Sequence, residues 1–518
     1  MIGRNARALW MRRLLQALIV LLLLPTLVVS ADEEGAIQLG KTELASRGYP
    51  NELPLNEPTY GLGKGGNSVY TSLSWFEDVT KQAKLAFASA ANNLVKDSLG
   101  NVIPDTDTVC QSELSSDQRG CYDIFIQDPR NLERSNINSP VFITGFDTDV
   151  EGDALFPTLS RDGRYLVFQS GAEYTDYDDA SALETDIFLA ILRNDHDPLN
   201  KPALFRVSAG QTTGGEPFPG ADANFHSGNV DCNPVVYGVN HDTPPVCRTH
   251  PSTGTVKPNF AHPHPVADAT LITGEGVYVV FESMADLGEN SNGYVKDIFI
   301  RQATDEAEDP SQQFEHTLLS RGCNDQPANG DSYHPVFVPG TDGRYIVFVS
   351  RATNLDCDID PSDYPADNPG GLFYQRRANI FLLKRGMDGK PEKITLLTKG
   401  TDGKPANRYA EYPAVAFDGG KLYIAFQSAA TNLTGESISN TQIFLYKANF
   451  NDSDGSITDP SFQLISIRPD NSLPQGPSYN PSISGDGRIV SFTSYDDGLV
   501  EGDSNNSCLV QNLEGWSS

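Results

Sequence analysis

The stretch "FPTLSRDGRYLVFQS" (156–170) reads as a β-hairpin, two apolar runs joined by Asp162-Gly163. Asp-Gly between such runs signals a tight turn, because the turn needs positive φ and glycine supplies it without strain. "RYLVF" is almost continuously apolar, as expected of a strand covered on both faces. The same hairpin returns as "HPVFVPGTDGRYIVFVS" (334–350) and "NPSISGDGRIVSFTS" (480–494). One sheet cannot bury both of its own faces. Sheets stacked radially can, and they leave only short edges.

Outward from the hairpin the repeat lengthens. An apolar "LLS"-like strand comes first, then x-Pro-x-x-Ser-x-Asp-Gly, Arg-Tyr-x-x-Phe-x-Ser, an Asp/Asn-rich loop, and Asp-Ile-Phe-(Leu/Ile). The last element recurs at 122–127, 185–190, 296–301, 378–383 and 441–446, with a degenerate sixth copy, "SCLVQN", at 507–512. The Phe-x-Ser element of the repeat recurs six times, at Phe87/Ser89, Phe168/Ser170, Phe281/Ser283, Phe348/Ser350, Phe426/Ser428 and Phe492/Ser494. Six copies predict an all-β, six-bladed β-propeller of four-stranded antiparallel blades, each hairpin forming the two innermost strands. "TELASRG" (42–48) resembles the outer strand "HTLLSRG" (316–322), and no outer strand follows the sixth copy. A strand at about 41–48 is therefore expected to complete the last blade beside 507–512 and latch the ring. The first copy, 70–89, lacks the Pro and Asp-Gly, so its hairpin must turn differently.

The pattern x-Pro-x-x-Ser-x-Asp-Gly-(Arg/Lys)-x-x-x-Phe-x-Ser resembles the TolB-type six-bladed propeller repeat, related to WD-like propellers, over residues 41–512. TolB-type proteins carry a separate α/β domain before the propeller. Nothing of that size precedes the first copy, so the Tol–Pal partnership is not carried over.

Residues 1–30 read differently from the rest. Arg4, Arg7, Arg12 and Arg13 precede an apolar run, Leu14 to Val29, followed by Ser30-Ala31. That order is a secretory signal peptide. The run, with Pro25 inside it, is short for a retained spanning helix. The mature unit is then 31–518, a single propeller that is periplasmic or secreted. The 518-residue chain has a formal charge of −30, and losing the four leader arginines makes it −34. Such a surface repels phosphate backbones and anionic lipid, which argues against nucleic acid as a partner. Seven cysteines suit an oxidising compartment. Cys110 with Cys121, Cys232 with Cys247, and Cys323 with Cys357 are close enough to pair, leaving Cys508 odd.

Equivalent positions lie 68 to 108 residues apart, so the surplus over compact propeller repeats sits in loops, which carry function on rigid scaffolds. The largest insertion is 211–261. The residue at or equivalent to the one before the recurring proline forms a ring of candidates, Tyr70, Phe156, His264, His334, Tyr412 and Asn480. Such a ring could bind a ligand at the channel, or simply fill its mouth. Five of the eight histidines fall within 226–264, and His262-Pro-His264 is the one pairing that suits a Zn or Cu site, without a carboxylate or Cys partner at diagnostic spacing. No cofactor is fixed. Ca²⁺ is the ion the acidic loops at 175–186, 356–363, 451–456 and 496–506 would suit, although none completes a twelve-residue calcium loop and solvated turns explain them as well.

Enzyme signatures are missing. There is no Gly-x-Ser-x-Gly elbow, no His-Glu-x-x-His and no phosphate loop. The Ser-x-Asp-Gly turns resemble the Asp-box of sialidases, but the aromatic signature that should follow is absent. The recurring Ser and Asp read as turn and strand-pinning groups. The expectation is an exported, non-enzymatic binding or scaffold module for a protein or glycan partner in the envelope or outside the cell. The alternative is a hydrolase, lyase or metal-dependent ligand binder using the channel around His264 and His334.

Overall fold

A computed structural model describes residues 27–30, 68–73, 84–89, 95–96, 102–103, 122–127, 141–142, 153–171, 185–192, 203–208, 232–233, 246–247, 266–272, 276–285, 287, 295–303, 316–366 and 377–500. Among them the only helical segments are the three-residue 3-10 turns Cys323–Asp325 and Pro361–Asp363. Everything else regular is strand. The chain is all-β.

Five sheets have four antiparallel strands each, laid side by side in chain order. Sheet 1 contains Ser68–Leu73, Leu85–Ser89, Asp123–Gln127 and Val141–Phe142. Sheet 2 contains Ala154–Leu159, Tyr165–Ser170, Asp186–Ile191 and Ala203–Arg206. Sheet 3 contains Ala267–Ile272, Gly276–Ser283, Asp297–Ala303 and Thr317–Leu318. Sheet 4 contains Ser332–Phe337, Tyr345–Ser350, Asn379–Arg385 and Pro391–Leu396. Sheet 5 contains Ala410–Asp418, Lys421–Ser428, Gln442–Asn451 and Ser456–Leu464. The first strand of each later sheet packs against the first two strands of the sheet before it, so the sheets follow one another in order.

The sixth sheet pairs Ser478–Ile483 with Ile489–Ser494, and Leu27–Ser30 runs antiparallel on the other edge of the second strand, from Leu27 opposite Phe492 to Ser30 opposite Ile489. That edge is where 507–512 was expected. A segment from the stretch read as leader thus enters the last sheet. Residues 41–48 and 507–512 both lie outside the described residues.

The recurring letters of the repeat are structural. The Phe of Phe-x-Ser stands opposite the Phe of the Ile-Phe element in all five four-stranded sheets, as in Phe168 with Phe188 and Phe348 with Phe381. Their rings stack at 5.7–5.9 Å with interplanar angles of 20–26°. Offset stacking of this kind adds to the area the rings bury.

The residue opening that element is tied to a hydroxyl on the fourth strand or just past it. Ser320 Oγ donates to Asp297 Oδ1 at 2.5 Å, Thr398 Oγ1 to Asn379 Oδ1 at 2.9 Å, and Ser466 Oγ to Gln442 Oε1 at 2.6 Å. Each hydroxyl also accepts the next main-chain N–H, from Ile298, Ile380 and Ile443. The serine of Phe-x-Ser closes the other end of its strand. Ser170, Ser350 and Ser428 donate to the carbonyls of Asp153, Asp331 and Tyr409 at 2.7–3.0 Å. In the hairpin turns, Ser160 and Ser484 donate to Asp162 and Asp486 and accept from Tyr165 N and Ile489 N. The expected Asp-Gly turns hold, with Gly163, Gly343 and Gly487 at φ of 68–71°.

One expected disulfide is formed, Cys323–Cys357, with Cα atoms 5.6 Å apart. It joins the entry to sheet 4 to the loop after that sheet's second strand. Cys232 and Cys247 are directly opposite in a two-residue antiparallel ladder. Cys110, Cys121 and Cys508 lie outside the described residues, as does most of 211–261.

Candidate functional site

The ring residues occupy one special backbone position. Phe156, His334, Tyr412 and Asn480 have φ of 55°, 55°, 58° and 54°. Each sits inside a register shift of its first strand, between Leu155 and Thr158, Tyr333 and Val336, Glu411 and Ala414, and Tyr479 and Ser482. Sheet 1 has the same shift around Tyr70, between Val69 and Ser72. His264, and His262 beside it, lie outside the described residues. A β-bulge re-aims its residue and bends the strand. A non-glycine residue held at positive φ costs on the order of 1–3 kcal/mol, a cost met only where the surroundings over-determine it.

The surroundings do so from the neighbouring sheet. The N–H of His334 donates to Glu282 Oε2 at 2.9 Å, and the N–H of Asn480 donates to Gln427 Oε1 at 3.1 Å. Glu282 and Gln427 are both the middle residue of a Phe-x-Ser. The strand-second position of one sheet thus satisfies the bulged main chain of the next. Lower down, Asp268 of sheet 3 accepts from Phe337 N of sheet 4 at 2.9 Å, and Ser72 of sheet 1 accepts from Leu159 N of sheet 2 at 2.9 Å.

Around His334 the polar groups are dense and buried. Its imidazole lies 4.6 Å from the Tyr412 ring and 4.9 Å from that of Tyr333. Glu282 is fully buried and held by Lys296 Nζ at 2.7 Å. Tyr333 donates its hydroxyl to Glu411 Oε1 at 2.6 Å, with the Arg351 guanidinium 5.7 Å from its ring. Burial first, and the Glu411 charge second, hold the Tyr333 phenol well above its ordinary pKa. It therefore remains a donor. The arrangement places two carboxylates, an imidazole, two phenols and two cations around one bulge. Sheets 3, 4 and 5 each contribute to this buried polar cluster.

The structure brings His334 and Tyr412 into contact. Phe156 is buried on sheet 2, and Asn480 is exposed on sheet 6. Glu282, Lys296, Tyr333, Arg351 and Glu411 did not emerge from sequence. A signal existed: Gln169, Glu282 and Gln427 are polar letters inside otherwise apolar inner strands, "YLVFQS", "GVYVVFES" and "KLYIAFQS".

Among the described residues no group of three or more His, Cys, Asp or Glu could hold a metal ion. The acidic loops, where described, close turns or tie to neighbouring strands. Asp356 accepts from Leu396 N and Asp358 N, Asp360 from Ser362 N, and Asp454 from Ser456 N. Asp496 receives a two-pronged contact from Arg468 at 2.9 and 3.1 Å.

No protein-family model matches the chain, and no curated protein is significantly similar to it. Among solved structures it is similar to TolB from Acinetobacter baumannii, with 12% identity over 83% of this chain and 79% of that one and a TM-score of 0.30. A Trypanosoma rangeli sialidase in complex with the inhibitor DANA gives 8% identity over 88% and 59%, TM-score 0.34. A thermostable family-43 glycoside hydrolase gives 13% identity over 64% and 80%, TM-score 0.26. Likenesses of this size say nothing of activity or partners.

Proposed function

We propose that the chain is an exported six-bladed propeller, closed by an N-terminal strand in its last sheet, that binds a protein or glycan partner in the periplasm or outside the cell. One observation carries the binding reading. The residues that repeat are committed to the scaffold: each Phe stacks, each Ser and Asp pins a strand or a turn. The bulged position changes its side chain from sheet to sheet while keeping one strained backbone, Phe156, His334, Tyr412 and Asn480. A scaffold position that keeps its geometry and varies its chemistry is where specificity is written. The Cys323–Cys357 disulfide agrees with an oxidising compartment. No helix among the described residues is long and apolar enough to cross a membrane.

The test is a thermal-shift and capture screen of residues 31–518 against glycans and envelope extracts, run beside His334→Ala and Tyr412→Ala. A ligand that binds only the folded chain raises its melting temperature by mass action. The reading expects a captured partner that both variants lose. A catalytic turnover abolished by both variants, with no partner retained, would replace it with the hydrolase or lyase reading.

A further inference from the structure

Away from the ring, sheets 4 and 5 leave a groove between their fourth strands, with a volume of roughly 610 Å³. It lies three strands outward from His334 and Tyr412, about 14 Å at ordinary strand spacing. Leu396, Leu397, Leu433, Ile457 and Phe462 form its apolar lining, with Thr395, Thr401, Thr434 and Ser461 around them. Two polar groups stand out against that lining.

The first is Tyr446, which is only 3% exposed and lines the groove. Its ring packs 5.4 Å from Phe462, and its hydroxyl makes no hydrogen bond to any described residue. At the equivalent position the other repeats carry Gln127, Ala190, Arg301 and Leu383, so the phenol belongs to this groove and not to the repeat. Burial raises its pKa, which keeps it a donor. A ligand oxygen in the groove would give that hydroxyl an acceptor.

The second is Lys399 at the exposed lip. Nearby lysines sit against carboxylates: Lys384 with Glu392 at 2.7 Å, Lys393 with Asp358 at 3.6 Å, and Lys404 with Asp363 at 3.0 Å. Lys399 pairs with no described residue. In a chain with 68 acidic and 38 basic side chains, a cation with no carboxylate partner among the described residues, set over an apolar slot, selects for an anionic group.

The edge of sheet 5 argues against an added peptide strand. Pro460 lacks an N–H, Asp459 has φ of 52°, and the register shifts between Lys447 and Asn449. Such an edge cannot run a continuous ladder. A small molecule fits, since the volume falls within the range of ligand pockets.

We propose that this groove binds a small amphipathic carboxylate, its apolar aliphatic or aryl body between sheets 4 and 5 and its acid group between the Tyr446 hydroxyl and Lys399. The test is calorimetric titration of the folded chain with dodecanoate below its micelle concentration and with 4-phenylbutanoate, each against the matching alcohol. Saturable one-to-one binding of at least one acid is expected, with the alcohol weaker by on the order of tenfold. Lys399→Gln should bring the acid down to the alcohol, and Tyr446→Phe should weaken both by several-fold, while the melting temperature stays within a few degrees. His334→Ala should leave binding unchanged, which separates this site from the ring. Absence of saturable binding by either acid overturns the proposal. So does binding that neither Lys399→Gln nor Tyr446→Phe weakens.

Discussion

Glu282, on the second strand of sheet 3, accepts the main-chain N–H of His334 on the first strand of sheet 4 at 2.9 Å, while Lys296 holds its other oxygen at 2.7 Å. A fully buried carboxylate thus joins two sheets and fixes the bulge that presents the imidazole. At the next such junction the neutral Gln427 does the same for Asn480 at 3.1 Å.

Removing the Glu282 side chain leaves a main-chain donor unmet and Lys296 without its partner. Glu282→Ala should therefore cost about 3–5 kcal/mol, the usual result of breaking a buried pair from one side. Glu282→Gln keeps an acceptor for His334 N, as Gln427 does for Asn480, and should cost clearly less. Urea denaturation of the three proteins side by side reads the difference.

The bulge itself can be probed where the side chain is exposed. Asn480 has φ of 54°. Glycine tolerates that conformation, so Asn480→Gly should change stability by no more than about 0.5 kcal/mol. A β-branched residue does not, and Asn480→Val should cost about 1–3 kcal/mol. Equal melting temperatures for the two variants would mean that the strain is not there in solution.

The repeat was legible because its signals are local and periodic. Asp162-Gly163, Phe168 with Ser170, and Ile187-Phe188 each do their work inside one sheet, and six copies reinforce one another. The position of the ring residues could be read in the same way. Their conformation could not. A following proline biases a residue toward extended backbone, so His334-Pro335 and Tyr412-Pro413 gave no hint of a left-handed bulge. Glu282 and Glu411 were hidden for a different reason. Their partners lie in the adjoining sheets, on His334 and Tyr333, and no spacing along the chain encodes which sheet supplies the donor.

Asp297 gives a pH signature. It is fully buried, and burial raises its pKa from 3.8 to about 7, against the Ser320 hydrogen bond that lowers it. Arg206 of sheet 2 sits 3.6 Å from the equivalent Asp186, whereas sheet 3 has Leu318 in the place of that arginine. The folded state then binds a proton that the unfolded chain gives up near pH 4. Stability from this group is full below about pH 4 and falls as pH rises to about 7, by a few kcal/mol at most. Asp297→Asn should flatten that slope, since Asn379 holds the same position in sheet 4 and takes its own hydrogen bond from Thr398. Denaturation midpoints between pH 4 and 8 measure it.

The stacked phenylalanines should dominate the core. Phe348 and Phe381 are both fully buried, and Phe348→Ala should cost about 3–5 kcal/mol. Phe348→Leu should cost markedly less. A denaturant titration that finds the two variants equally destabilised would show that the ring stack, not the apolar volume, carries the cost.

Closure of the last sheet separates two accounts. Leu27–Ser30 pairs with Ile489–Ser494, yet those four residues end the stretch that reads as a leader. If 41–48 closes the mature ring, a chain starting at residue 31 should melt within a few degrees of the full chain. A large loss of stability on removing 1–30 would assign the closing strand to Leu27–Ser30.

The most direct test of the binding ring is the affinity of the captured partner, by calorimetry, for residues 31–518 and for the His334→Ala/Tyr412→Ala double variant. The predicted result is a loss of at least tenfold, about 1.4 kcal/mol, in a variant that still melts cooperatively. Unchanged affinity in that variant would contradict the account and move recognition off the bulged ring.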